Sequence, residues 1–461
     1  MGQEITSSHF GAEDFAEFHS RIEAETRLLE QWFRNGVFSN TQPVGGFELE
    51  CCLLDGAAEP APINQALLGR LNNPLVVPEL ATFNLEINST ARPLEGRVFS
   101  RMAEELGDLW VQCNRTAASL HARLGMIGIL PTLRPEHLTL SNMTPLNRYR
   151  ALNEQIFKLR NGKPVELDIE GITPLHLRHA DVMLESAATS FQIHLQVNAA
   201  QAARAYNLSK MLSAPMVAMS ANSPFLFGRE LWDETRIPLF EQSISVGASD
   251  LTKRVSFGIR YVKDSIMENF TANLLRYPVL LPRLMNEPPE KLAHLRLHNG
   301  TIWRWNRPLI GFDDKGAPHL RIEHRVVPAG PSVMDTIANA ALYFGMLNGL
   351  AADAQTLEGR LSFQRARSNF YTAAQHGLQA ELVWFDGQEV RADELLREIL
   401  LPKAREGLSR LGVDKLDIDQ WLGIIERRIA SRQNGASWQR HWVEAVSYTH
   451  LTLPTTKALC V

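Results

Sequence analysis

Residues 45–55 read GGFELECCLLD, with Glu48 and Glu50 one residue apart in an otherwise apolar stretch. A β-strand has a period of two, so both carboxylates leave one face, and Phe47, Leu49, Cys51 and Leu53 leave the other. The apolar set predicts contact with a core. The acidic set predicts either a solvated outer face or a site where protons, arginines or metal ions offset two adjacent like charges. Asn84-Leu85-Glu86-Ile87-Asn88 repeats the pattern. Two such strands favour an acidic, metal-binding sheet over a plain scaffold.

Further segments extend this reading. In SFQIHLQVN (190–198), Phe191, Ile193, Leu195 and Val197 share one face, and Gln192, His194 and Gln196 the other. In HLRIEHRVV (319–327), Arg321, Glu323 and Arg325 lie on one side, with Leu320, Ile322 and His324 opposite. Strands are expected at 45–54, 80–88, 125–131, 190–198, 254–262 and 318–327. Helical spacing marks 13–34, 97–124, 145–160, 199–220, 275–294 and 330–350, and 352–445 reads as largely helical. No glycine-rich loop precedes a helix as in a dinucleotide-binding unit. The pattern predicts an α+β fold with a catalytic sheet and helices behind it.

The chain has 461 residues, 45% of them hydrophobic, and a formal net charge of -4. That balance gives no basic field for nucleic acid. No apolar run reaches membrane-spanning length. The N-terminus lacks the basic and apolar regions of an export signal, and the four cysteines, of which adjacent Cys51 and Cys52 point to opposite faces of a strand, fit a reducing, cytoplasmic compartment. Residues 446–461 shift to threonine-rich text that resembles translated sequencing-adapter read-through, and they are set apart from the fold.

Hard divalent cations take carboxylate oxygens, often shared with phosphates. Glu48, Glu50, Glu79, Glu86, His194 and Glu323 form a candidate ligand set. Phosphoryl transfer also needs fixed cations, for which Arg236 and Arg325 are candidates. Each has a plainer reading: an ion-pair ladder for 321–325, a structural histidine for His194, a simple turn for Asn222-Ser223-Pro224. Trp303-Arg304-Trp305-Asn306-Arg307-Pro308 sets arginines beside aromatic rings, an arrangement that suits a base, a carboxylate or ordinary surface packing.

Taken in order, GFELE (46–50), ELATFNLEIN (79–88), FQIHLQV (191–197), SANSPFLFG (220–228) with Arg236, RIEHRVVPAG (321–330) and NFYTAAQHG (369–377) resemble glutamate–cysteine ligase family 2. These are carboxylate–amine ligases of the glutamine-synthetase-like superfamily. The resemblance implies an antiparallel catalytic sheet within 45–380, after an N-terminal helical segment (1–44) and before C-terminal helices (381–445). It implies ATP and Mg2+ as cofactors, the six residues above as magnesium ligands, and Arg325, Glu50 and Arg236 as catalytic. Asn222, Ser223, Arg236 and Arg325 would hold nucleotide. The substrates would be small molecules, a carboxylate such as glutamate and an amine, with no nucleic-acid or membrane partner; a homo-oligomer is compatible. Arg229 to Thr235 depart from the glycine-rich text of some members, beside the expected substrate pocket. Two other readings stand: a phosphotransferase on a guanidine or amide with the same fold, and a catalytically reduced binding or regulatory protein.

Overall fold

The GFELE segment lies at the centre of an eight-stranded sheet in the computed structural model, which describes residues 4–5, 9–246, 252–353 and 355–452, the last six without side chains. The strands are β1 (Val44–Leu54), β2 (Val76–Pro78), β3 (Asn84–Asn88), β4 (Arg92–Pro93), β5 (Arg123–Gly125), β6 (Phe191–Val197), β7 (Asn306–Phe312) and β8 (Pro318–His324). The order is β7-β8-β6-β1-β3-β2, with β4 and β5 also on β1, and every pairing is antiparallel.

Period-two alternation sets the two faces. Phe47, Leu49, Cys51, Leu53, Leu85, Ile87, Ile193, Leu195, Leu320 and Ile322 are all buried. Two largely buried helices, α3 (Ala202–Ser220) and α4 (Val333–Ala351), back the sheet. Tyr343 of α4 joins the layers: its ring stacks on His324 at 4.2 Å, and its hydroxyl meets Ser209 of α3 at 2.7 Å.

Further helices include α1 (Ala12–Asn35), α2 (Val98–Ala118), Asn147–Leu159, α5 (Phe363–His376), α6 (Leu401–Arg410), α7 (Lys415–Ser431) and α8 (Gly435–Thr452). Gly36 ends α1 at φ +64°, a left-handed cap that glycine adopts without strain. Helices α6 and α7 pack on α4, continuing the same core. There the backbones touch: a Cβ on Gly349 would lie 2.1 Å from the Lys403 carbonyl oxygen.

Three expectations fail locally. Only Arg123–Gly125 of the region around 125–131 is a strand; beyond it, Gly128 bonds to the Asn222 carbonyl and to Thr189 N–H rather than to a ladder. Residues 254–262 form a loop touching Arg304 by one bridge, because Gly258 at φ +97° breaks the extended run. The helix expected at 275–294 is instead two, Met267–Arg276 and Ala293–Gly300. Pro278, Pro282, Pro288 and Pro289 exclude helix between them. The strand at 80–88 is shortened to 84–88, and 352–445 includes a small hairpin, Glu381–Val383 with Glu389–Arg391. The side chains of 447–461 lie outside the described residues.

Candidate active site

Register converts the sequence pattern into rows on the face opposite the helices. Glu50 stands opposite Glu86, and Glu48 lies between Asn88 and Gln192. In the next row Gly46, His194, Glu323 and Arg307 follow one another across β1, β6, β8 and β7. Gly46 carries no side chain in that row, and Ser89 and Ala91 close over it: a Cβ there would lie 3.2 Å from Ser89 Oγ.

The six candidate ligands fall into two triplets. Ligand atoms of Glu48, His194 and Glu323 all lie within 4.8 Å of one another, and so do those of Glu50, Glu79 and Glu86. His194 is 6% exposed, and neither of its buried ring nitrogens has a hydrogen-bond partner. Burial pulls its pKa down to about 4, so the imidazole is neutral at pH 7 with a lone pair to offer. A buried, neutral, unpartnered imidazole 3.5 Å from Glu48 and 3.7 Å from Glu323 fits a metal ligand better than a structural histidine.

The triplets differ electrostatically. Burial alone would raise Glu323, yet the guanidinium groups of Arg307 and Arg325 outweigh it and hold this carboxyl well below the usual range. Arg307 grips it through two bonds, Nε to Oε2 at 2.8 Å and Nη2 to Oε1 at 2.9 Å. Among the described residues, no arginine grips the acidic triplet through paired bonds in this way. Burial, then Glu48 and Glu79, pushes Glu86 well above 4.5, and burial followed by Glu50 raises Glu79 to about 7. Ionising all three requires added positive charge, which a divalent cation supplies.

Arg325 connects the triplets. Its Nη1 donates to Glu323 at 3.1 Å and to the Gln192 side-chain oxygen. The Gln192 amide donates to Glu50 at 2.8 Å, and Ser190 N–H donates to the same carboxylate at 2.6 Å. The guanidinium is thus aimed by a chain of fixed hydrogen bonds.

Arg236, Asn222 and Ser223 are placed differently from the expectation that they contact nucleotide. Arg236 is 2% exposed; it donates to Glu234 at 2.9 Å and to the carbonyls of Arg325 and Val326 at 3.3 and 2.5 Å. Asn222 donates to the Ala329 carbonyl at 2.8 Å and accepts from Gln439 of α8 at 2.8 Å. Ser223 accepts from the Arg236 N–H at 3.2 Å. These groups are spent on interior bonds, so they brace the end of β8 that carries Arg325. The divergent stretch Arg229 to Thr235 meets α8 through Arg440, which pairs with Glu230 at 2.7 Å and with Asp233.

Gln192 and Glu185 join the site although the sequence reading assigned them no role in it, and Arg307, read as able to bind a base or a carboxylate, binds the Glu323 carboxylate. Gln192 shares the His194 face by period two, and Arg307 faces Glu323 across the hairpin. Glu185, in the short helix Val182–Ala187, is raised to about 8 by burial and then by Glu50. No periodicity marks it.

Comparison with known proteins identifies the family and the fold. The model of Glutamate-cysteine ligase family 2 matches residues 44–448. A glutamate–cysteine ligase from Francisella tularensis, solved in complex with AMP, superposes with a TM-score of 0.54 at 12% identity, covering 87% of this chain and 84% of that one. A bifunctional glutathione synthetase from Pasteurella multocida gives a TM-score of 0.51 at 10% identity, covering 92% of this chain and 51% of that one. At such identities these two show a shared fold. No curated protein sequence matches the chain. With the family model spanning the sheet, its backing helices and α7, the protein belongs to glutamate–cysteine ligase family 2, a family of carboxylate–amine ligases.

Proposed function

We propose that this protein joins a carboxylate, with glutamate the leading candidate, to an amine at the expense of ATP, in a Mg2+-dependent reaction. The observation that carries the reading is the pair of ligand triplets on one sheet face with Arg325 fixed between them. A carboxylate is a poor electrophile. Attack of a carboxylate oxygen on the γ-phosphorus of ATP forms the C–O–P link of an acyl phosphate, breaks the bond from that phosphorus to the ADP oxygen, and releases ADP. The amine then attacks the acyl carbon, the C–O bond to phosphate breaks, and an amide, phosphate and a proton result.

Charge develops on the transferring phosphoryl oxygens, and preorganised cations lower that barrier. Divalent metal, held by the two triplets, would neutralise phosphate charge and orient its oxygens. Arg325 would donate to the same oxygens; its Nε is buried and unpartnered. Arg307 would keep Glu323 ionised, and Gln192 would hold Glu50 and Arg325 in register. The free thiols of Cys51, Cys52 and Cys113 are buried, which suits a cytoplasmic setting. Among the described residues no helix is long and apolar enough to cross a membrane.

An ADP-release assay with glutamate and a panel of amines, with and without Mg2+, tests the reading. ADP that appears only when acid, amine and Mg2+ are all present supports it. ADP release with a guanidine or amide as sole acceptor favours phosphotransfer instead. No ADP with any combination refutes catalysis of this kind.

A further inference from the structure

The two arginines of Trp303-Arg304-Trp305-Asn306-Arg307-Pro308 part company in the structure. Arg307 clamps Glu323 in the candidate active site. Arg304 lines a separate cavity of about 50 Å³, together with Lys210, Tyr206, Tyr261 and Tyr277. None of the six candidate metal ligands borders it.

Lys210 is 1% exposed. Its ammonium donates to the Phe257 carbonyl at 2.6 Å and stands over the rings of Tyr206 and Phe257, at 4.8 and 5.1 Å. Gly258, at φ +97°, keeps its place: a Cβ there would lie 3.0 Å from the Lys210 nitrogen. Arg304 is 6% exposed, donates to Asn269 Oδ1 at 3.2 Å and lies over the Tyr277 ring at 5.7 Å. Among the described residues, no carboxylate pairs with either cation. Glu268, the one acid on the wall, is occupied by Arg260 at 2.5 Å and by the N–H groups of Lys263 and Asp264 at 2.9 and 2.8 Å. The Tyr261 hydroxyl is buried and has no partner.

Two buried cations that share a cavity without a counter-charge are costly, and a bound anion removes the cost. Burial, then the Arg304 charge, pulls the Lys210 ammonium down to about 7, as expected for a cation short of its partner. The space beside the two cations admits only a few waters' volume, which suits an anionic head group. We propose that this cavity binds a small oxyanion, a phosphate or carboxylate group, held by Lys210, Arg304 and the Tyr261 hydroxyl. The proposal is independent of the ligase reading.

The test is thermal unfolding of the full chain at fixed ionic strength in chloride, with added phosphate or acetate. Wild type, Glu50→Gln, Lys210→Met and Arg304→Met are compared. Wild type and Glu50→Gln should both gain melting temperature, with an apparent affinity that falls at least tenfold in Lys210→Met and Arg304→Met. A shift with phosphate alone, or with acetate alone, identifies the chemistry. No shift in wild type, or an undiminished shift in Lys210→Met, overturns the proposal. If neither substituted chain folds, wild-type crystals soaked in selenate or bromoacetate decide: an anomalous peak between Lys210 and Arg304 supports the site, and an empty cavity refutes it.

Discussion

Replacing Glu79 by Gln should make the metal-free protein more stable and the metal-bound protein less so. Glu79 lies within 4.8 Å of both Glu50 and Glu86, and its pKa is raised from 4.5 to about 7 by burial and then by Glu50. For a carboxyl the sign follows directly. A folded-state pKa above the unfolded one means that the native state binds the extra proton, so stability falls as pH rises from about 4.5 and levels off above about 7. From 4.5 to about 7, at ~1.4 kcal/mol per pH unit, holding Glu79 ionised costs ~3 kcal/mol at pH 8. Gln carries no charge and escapes that cost. In EDTA, the two proteins should melt together near pH 4.5, and Glu79→Gln should melt about 3 °C higher at pH 8, given the usual unfolding entropy per residue. Added Mg2+ should invert the order, since wild type gains a ligand and Glu79→Gln has lost one. Melting curves across pH 4.5 to 8, in EDTA and in Mg2+, measure this. A gap that does not change with pH, or an equal response of both proteins to Mg2+, would refute the electrostatic assignment of the triplet.

Other substitutions probe the site and the scaffold separately. Glu50→Gln should cut ADP release by at least about a hundredfold, while Cys52→Ala, on the same strand but packed at 3% exposure, should cost stability and leave most of the turnover. Arg325→Lys should lower kcat by about 10²–10³ with little change in KM, because a lysine cannot hold Gln192 and Glu323 through one nitrogen and still offer a second donor to the phosphate proposed to bind there. Gly349→Ala should destabilise by ~1–3 kcal/mol in denaturant unfolding, since its Cβ would lie 2.1 Å from the Lys403 carbonyl oxygen. Gly69→Ala, in the helix Asn64–Leu71 with nothing within 4 Å, should stabilise by ~0.5–1 kcal/mol.

Where alternation is strict, the sequence was enough to read the structure. Glu48 and Glu50, His194, and Glu323 with Arg325 lie on the face that period two assigns them, because the apolar residues between them are drawn to the helix side, and a one-residue slip would exchange the two sets. What local pattern does not encode is which strands become neighbours. Glu79 joins Glu50 and Glu86 only because β2 folds back along β3, and Arg307 reaches Glu323 only through the β7–β8 hairpin. Glu185 comes from the short helix Val182–Ala187, too brief for periodicity to carry a signal. Asn222, Ser223 and Arg236 were recognisable as a motif, yet a motif does not say whether its polar groups face a ligand or the protein. Here they face the backbone that carries Arg325. The loop at 254–262 reads as a strand by composition, and Gly258 with its left-handed backbone overrules that preference.

Mn2+ binding, counted by electron paramagnetic resonance, addresses the two triplets together. Glu48, His194 and Glu323 form one, and Glu50, Glu79 and Glu86 the other. Wild type should bind at least two Mn2+ per chain, His194→Ala and Glu86→Gln should each lose one, and the double substitution should lose both. A wild-type chain that binds no Mn2+, or single variants that bind as many ions as wild type, would contradict the assignment of this sheet face as a divalent-metal site.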